Sequence, residues 1–184
     1  MEDKIQTAVV LNEYGQKVHL KKDQPIHTLN EGELLIKVQA STINPSDRLF
    51  LSGSYFHRPL PALCGFEGTG IVVQAKGEAL QTWVGKRVCF TSTIGAWCQY
   101  AVSTPLNTFE IDEDIPLSTA SSGIINPLTV IGFAEVFRSL KCKGIIHTAA
   151  SSALGKMLIK YCQKENIPLL NLVRREEQAE ALRK

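Results

Sequence analysis

Through about residue 110 the apolar positions of the chain come in short runs. Residues 7–11, 34–43, 70–75, 87–91 and 97–102 are rich in Val and Ile and are separated by Gly, Pro, Asn and Ser. Runs of this kind, bounded by turn formers, read as strands. They predict a compact, irregular β-barrel or sandwich. One short helical turn interrupts them near Pro45–Leu51. There Asn44 precedes Pro45 and Asp47 follows three residues on, the pattern of a capped helix start with proline in the first helical position.

The pattern changes after Pro116. Residues 117–140 predict a helix, and Gly144-Ile145-Ile146-His147-Thr148 a short strand of the buried type. Leu154, Met157, Leu158, Tyr161 and Cys162 then fall at i, i+3, i+4, i+7 and i+8, one stripe of an amphipathic helix. Residues 168–173 predict a second short strand, and 176–184 a further helix with acids in its first turn. A β-α-β-α order opens a doubly wound sheet. The expected fold class is therefore α+β followed by α/β, with a β-rich domain over residues 1–125 and the start of a nucleotide-binding domain over 126–184. That second domain is expected to be incomplete, because the chain ends inside its last predicted helix.

Composition narrows the function classes. A net charge of +2 gives no broad basic field for nucleic acid or an anionic membrane. No apolar run reaches the length of a bilayer span. Met1-Glu2-Asp3-Lys4 has neither a secretory nor a transit-peptide pattern. The five cysteines are odd in number and widely spaced, with no Cys-x-x-Cys pair. They read as reduced thiols of a cytoplasmic protein. The four histidines, His19, His27, His57 and His147, are scattered and suggest no metal site.

Candidate chemistry lies between the first α/β strand and its helix. A dinucleotide loop reads G-x-G-x-x-G, and here its marked positions hold Ala150, Ser152 and Gly155. Small residues allow a tight turn and a close pyrophosphate at the helix N-terminus. Ala150, Ser151, Ser152, Ala153, Leu154 and Gly155 are the expected cofactor-binding residues. About 20 positions further on, the fingerprint expects the residue that reads the ribose. The strand there ends in Val173-Arg174-Arg175. A guanidinium pairs with a 2′-phosphate, and an acid would have accepted a 2′-hydroxyl instead. Arg174 and Arg175 thus favour NADPH over NADH. A bare loop of small residues would also suit a structural turn.

Five segments in order resemble the zinc-free medium-chain dehydrogenase/reductase superfamily, in which a GroES-like β-barrel domain is joined to a Rossmann domain. They are Ile43-Asn44-Pro45-Ser46-Asp47, Gly65-Phe66-Glu67-Gly68-Thr69-Gly70, Val84-Gly85-Lys86-Arg87-Val88, Gly95-Ala96-Trp97-Cys98-Gln99-Tyr100-Ala101-Val102 and Asn126-Pro127-Leu128-Thr129. Zinc enzymes of the superfamily carry Cys where this chain has Asn44 and His where it has Phe66. Their third ligand falls near Asn126. None of these three side chains replaces a thiolate or imidazole at a tetrahedral zinc, so no metal is expected.

Within the zinc-free branches, Ser52-Gly53-Ser54-Tyr55 and the length of the 147–155 loop resemble 2-enoyl thioester reductases. The resemblance implies hydride transfer from NADPH to a conjugated carbon–carbon double bond. It gives Tyr55 a role in proton delivery and places Asn44 and Thr129 near the nicotinamide. Quinone oxidoreductases carry a Tyr near the same place, so NADPH:quinone oxidoreduction is the alternative. A third possibility is a truncated, catalytically silent fragment. A two-stranded sheet would leave apolar faces to be covered by a second copy of the chain, as a homodimer, or by another protein.

Overall fold

A computed structural model describes residues 5–92 and 94–183. The N-terminal tetrapeptide and Lys184, which entered the expectations above, lie outside the described residues. The chain forms two compact units, Met1–Gly123 and Ile124–Lys184.

The first unit runs β1 (Ile5–Leu11), β2 (His19–Pro25), β3 (Leu34–Ser41), α1 (Pro45–Leu51), β4 (Ala62–Leu63), β5 (Glu67–Ala75), β6 (Arg87–Thr91), β7 (Tyr100–Ser103), β8 (Thr108–Glu110) and α2 (Leu117–Ala120). One antiparallel sheet has the order β7-β3-β5-β6-β8 and the other β2-β1-β4. The larger sheet buries Leu34, Ile36, Val72, Val88 and Phe90 in one core. Each such side chain contributes about 1.5–3 kcal/mol by leaving water. Alternation along β1 buries Gln6, Ala8 and Val10 on the same side.

Three strands escape the apolar pattern. All of β2 except Gln24 is exposed, and its sequence, HLKKDQP, is polar; it is held by its antiparallel ladder to β1. The short β4 and β8 likewise exist by pairing, with β1 and β6. The expected strand over 97–102 becomes Tyr100–Ser103. Ahead of it, the Trp97 indole turns aside to donate to the Thr42 carbonyl at 2.9 Å.

The second unit runs α3 (Ile125–Ser139), β9 (Ile145–Thr148), α4 (Ala153–Lys164), β10 (Leu169–Leu172) and α5 (Glu176–Arg183). The single helix expected over 117–140 is thus two. The break falls at Ser121–Ile124, where an added Cβ on Gly123 would sit 2.8 Å from the Ala120 carbonyl. Strands β9 and β10 are parallel and in register from Ile145 opposite Leu169 to Thr148 opposite Leu172. The α4 stripe packs against α3 around Val130, Ala134, Leu158, Cys162 and Ile167. On the other face of the sheet Ile146, Leu170 and Leu172 stay 69%, 57% and 46% exposed.

Candidate functional site

In the second unit the expected nucleotide loop is a tight strand-to-helix turn. Ala149 adopts a left-handed φ of 54°, and Ala150 behind it is fully buried. Ser152 caps α4, its hydroxyl accepting from the Gly155 N–H at 3.1 Å. The N–H groups of Ala153 and Leu154 in the first turn have no acceptor among the described residues. Ser151 and Leu154 are half-buried, whereas Ser152 and Ala153 are exposed. Gly155 lies against the Ala150 carbonyl so closely that an added Cβ would overlap it. Gly155→Ala is therefore expected to destabilise this unit by about 1–3 kcal/mol, measurable by urea unfolding. A cost near zero would mean that the turn relaxes freely.

Arg174 and Arg175 are exposed and follow the end of β10 after Val173. The Ala150 N–H donates to the Leu172 carbonyl at 3.3 Å, which ties the loop to that strand end, two residues before Arg174. The Arg175 carbonyl accepts from the Gln178 and Ala179 N–H groups at 3.1 and 3.3 Å. Neither guanidinium enters a salt bridge among the described residues. Open first-turn donors, a glycine-tight approach and two unpaired cations fit a dinucleotide phosphate.

In the first unit Asn44 begins α1. Its backbone N–H donates to Asp47 Oδ2 at 2.6 Å, the expected cap contact. The buried Asn44 amide donates to Glu67 Oε1 at 2.8 Å and Thr42 Oγ1 at 3.1 Å. Thr42 in turn donates to the same Glu67 oxygen at 3.1 Å. Glu67 is fully buried and accepts from both, which anchors the Asn44 side chain. Burial pushes the Asp47 carboxyl up to about 6, the Asn44 N–H pulls it back, and the charge of Glu67 raises it further.

Tyr55 is 56% exposed, and its ring lies 5.0 Å from that of Phe56. Behind it is a cluster that sequence reasoning missed. Phe50, Phe56 and Phe66 surround the Arg58 guanidinium, with ring centroids 5.0, 5.2 and 5.2 Å from its central carbon. The Tyr14 hydroxyl donates to the Arg58 carbonyl at 3.0 Å and accepts from the Arg58 N–H at 2.7 Å. The weak clue was four aromatics and an arginine within residues 50–66. Phe66, at the position of a zinc-ligand histidine, belongs to this apolar cluster.

Thr129 lies in α3, where its hydroxyl donates to the Ile125 carbonyl one turn back at 2.7 Å. Asn126 is half-buried near the start of the same helix. Among the described residues no three His, Cys, Asp or Glu side chains gather as a metal site. No described helix is long and apolar enough to cross a membrane.

Residues 30–138 match the family model of the alcohol dehydrogenase GroES-like domain. The chain belongs to this family, and with it to the medium-chain dehydrogenase/reductase superfamily. The GroES-like chain is 28% identical over 179 residues to the mitochondrial enoyl-[acyl-carrier-protein] reductase of Xenopus tropicalis, covering 95% of itself and 51% of that protein. It superposes on a putative NADPH:quinone reductase from Mesorhizobium loti with a TM-score of 0.85 at 27% identity, over 97% of this chain and 57% of that one. A mycobacterial protein solved in complex with NADPH gives 0.82 at 25% identity, over 95% and 55%. The GroES-like chain spans about half the length of the curated relatives it matches.

Proposed function

We propose that the chain is part of an NADPH-dependent, zinc-independent oxidoreductase that reduces an activated carbon–carbon double bond such as that of a 2-enoyl thioester. The observation that carries this reading is the Ser152-capped, glycine-tight turn tied to the end of β10 at Leu172, just before Arg174 and Arg175. The turn offers N–H groups and the positive end of α4 to a pyrophosphate. The two arginines offer a 2′-phosphate charge-assisted hydrogen bonds. NADPH, when bound, supplies the hydride. Tyr55, 56% exposed, is assigned the passing of a proton to the substrate α-carbon. Asn44, held by Glu67 and Thr42, and Thr129, through its oxygen lone pairs, are assigned to the nicotinamide side.

The names of the curated relatives support the thioester substrate. The putative NADPH:quinone reductase among the solved structures favours quinone as the second reading. The third reading is a silent chain that holds NADPH or a partner without turnover, to which the exposed row Ile146, Leu170 and Leu172 offers an apolar face. A second copy of the chain covering that row as a homodimer belongs with it. Five free cysteines among the described residues support a reducing compartment, of which the cytoplasm is one.

The test compares NADPH oxidation with a short 2-enoyl-CoA and with a benzoquinone, alongside NADPH and NADH binding. The enoyl-CoA is expected to be the better acceptor. The double variant Arg174→Ala, Arg175→Ala should weaken NADPH binding about tenfold and leave NADH unchanged. Preference for quinone transfers the assignment to the second reading, and NADPH binding without turnover to the third. Equal binding of the two nucleotides by the unaltered chain removes the cofactor reading.

A further inference from the structure

A cleft of about 560 Å³ opens within the first unit, lined in part by Gln24, Pro25, Ile26, Arg58, Leu63 and Ile94. Its volume is that of a small-molecule site. The described lining residues include no Asp or Glu, and Arg58 is their one permanent cation. Two other polar groups on the wall are already engaged. Gln6 accepts from the Tyr100 N–H at 2.8 Å, and His27 pairs with Glu33 at 3.3 Å.

Arg58 is not satisfied in the same way. A guanidinium carries five N–H donors, and the Arg58 side chain uses one atom, Nη1, to donate to the Ile94 carbonyl at 3.2 Å. Because Ile94 also lines the cleft, that bond sets the end of the side chain at the cleft wall. Three phenyl rings hold the cation through their faces, and ring faces accept no forked pair of hydrogen bonds. Asp47 is near enough for its charge to act on Arg58, yet no carboxylate lies within salt-bridge distance of it among the described residues. The buried part of a cation is normally compensated by a partner, and the remaining guanidinium N–H donors of Arg58 have no acceptor among the described residues.

We propose that this cleft binds a small monocarboxylate with an apolar chain, its carboxylate on the open edge of Arg58 and its chain along Pro25, Ile26 and Leu63. A planar carboxylate matches the fork of a guanidinium, and the side chains of Pro25, Ile26 and Leu63 on a mixed polar and apolar wall suit a short alkyl chain. The site lies wholly within the first unit and does not depend on the nucleotide reading.

The test is an amide-resolved NMR titration of the chain with hexanoate and with 1-hexanol. Hexanoate is expected to shift the Ile26, Ile94 and Gly95 amides saturably and to bind at least about tenfold more tightly than hexanol. In Arg58→Gln that difference should vanish. Should this variant fail to fold, Gln24→Glu carries the test: it adds a like charge to the cleft without touching the phenylalanine cluster. It should weaken hexanoate several-fold and leave hexanol unchanged. Equal affinity for the two ligands in the unaltered chain overturns the proposal. So do hexanoate shifts clustered away from the cleft, or hexanoate binding indifferent to the substituted residue.

Discussion

Phe50→Ala is expected to lower the unfolding free energy by about 3–5 kcal/mol, read as a fall in the urea midpoint at unchanged slope. Phe50 is 1% exposed. Its ring meets Tyr14 edge-on at 5.7 Å and lies 5.5 Å from both Phe56 and Phe66. It also carries the closest of the three ring contacts to Arg58. Truncation removes a large apolar side chain and leaves a void beside a half-buried cation, which has lost part of what compensated its burial. Phe50→Leu keeps much of the volume and should cost clearly less. The truncation also unseats Phe56, against which Tyr55 rests, so the loop bearing Tyr55 should exchange its amide hydrogens faster in the alanine variant. A cost below about 1 kcal/mol would show that the cluster repacks without this ring.

Asp47→Asn is expected to change how stability depends on pH. The Asp47 carboxyl titrates at about 6 in the folded chain, against about 3.9 in an unfolded one. Between these values the folded state keeps a proton that the unfolded state has released. Stability therefore falls as pH rises through roughly 4 to 6, and above that window the chain carries a buried, ionised acid. The carboxamide of the variant can still accept from the Asn44 N–H and does not ionise. At pH 4 the two proteins should be nearly equally stable. At pH 7 the variant should gain about 2–3 kcal/mol on the native chain. Urea unfolding at the two pH values measures this, and the same gap at both would mean that Asp47 does not titrate in that window.

What the sequence disclosed depended on whether a pattern was carried by the element itself or by its partners. The α4 stripe was legible because Leu158 and Cys162 are buried by their own helical spacing. The start of α1 was legible because proline and the Asn44–Asp47 pair are local signals. Strand β2 was not, since an exposed polar strand has no alternation to show and exists through its ladder to β1. The same holds for the Arg58 cluster. Its rings come from α1, from the loop after it and from the residue before β5, and only folding gathers them. Ala150, Ser152 and Gly155 could be placed in a turn by their spacing, whereas the tie from Ala150 to Leu172, two residues before Arg174, is a long-range contact.

The row Ile146, Leu170 and Leu172 on the bare face of β9 and β10 also sets how the chain behaves as a solute. Among the described residues β9 and β10 pair only with each other, and an apolar face beside an open strand edge is a surface on which further strands can add. With a net charge of only +2, little long-range repulsion keeps two copies apart. Substituting a lysine for Leu170 on this row is the change expected to raise the solubility of these 184 residues.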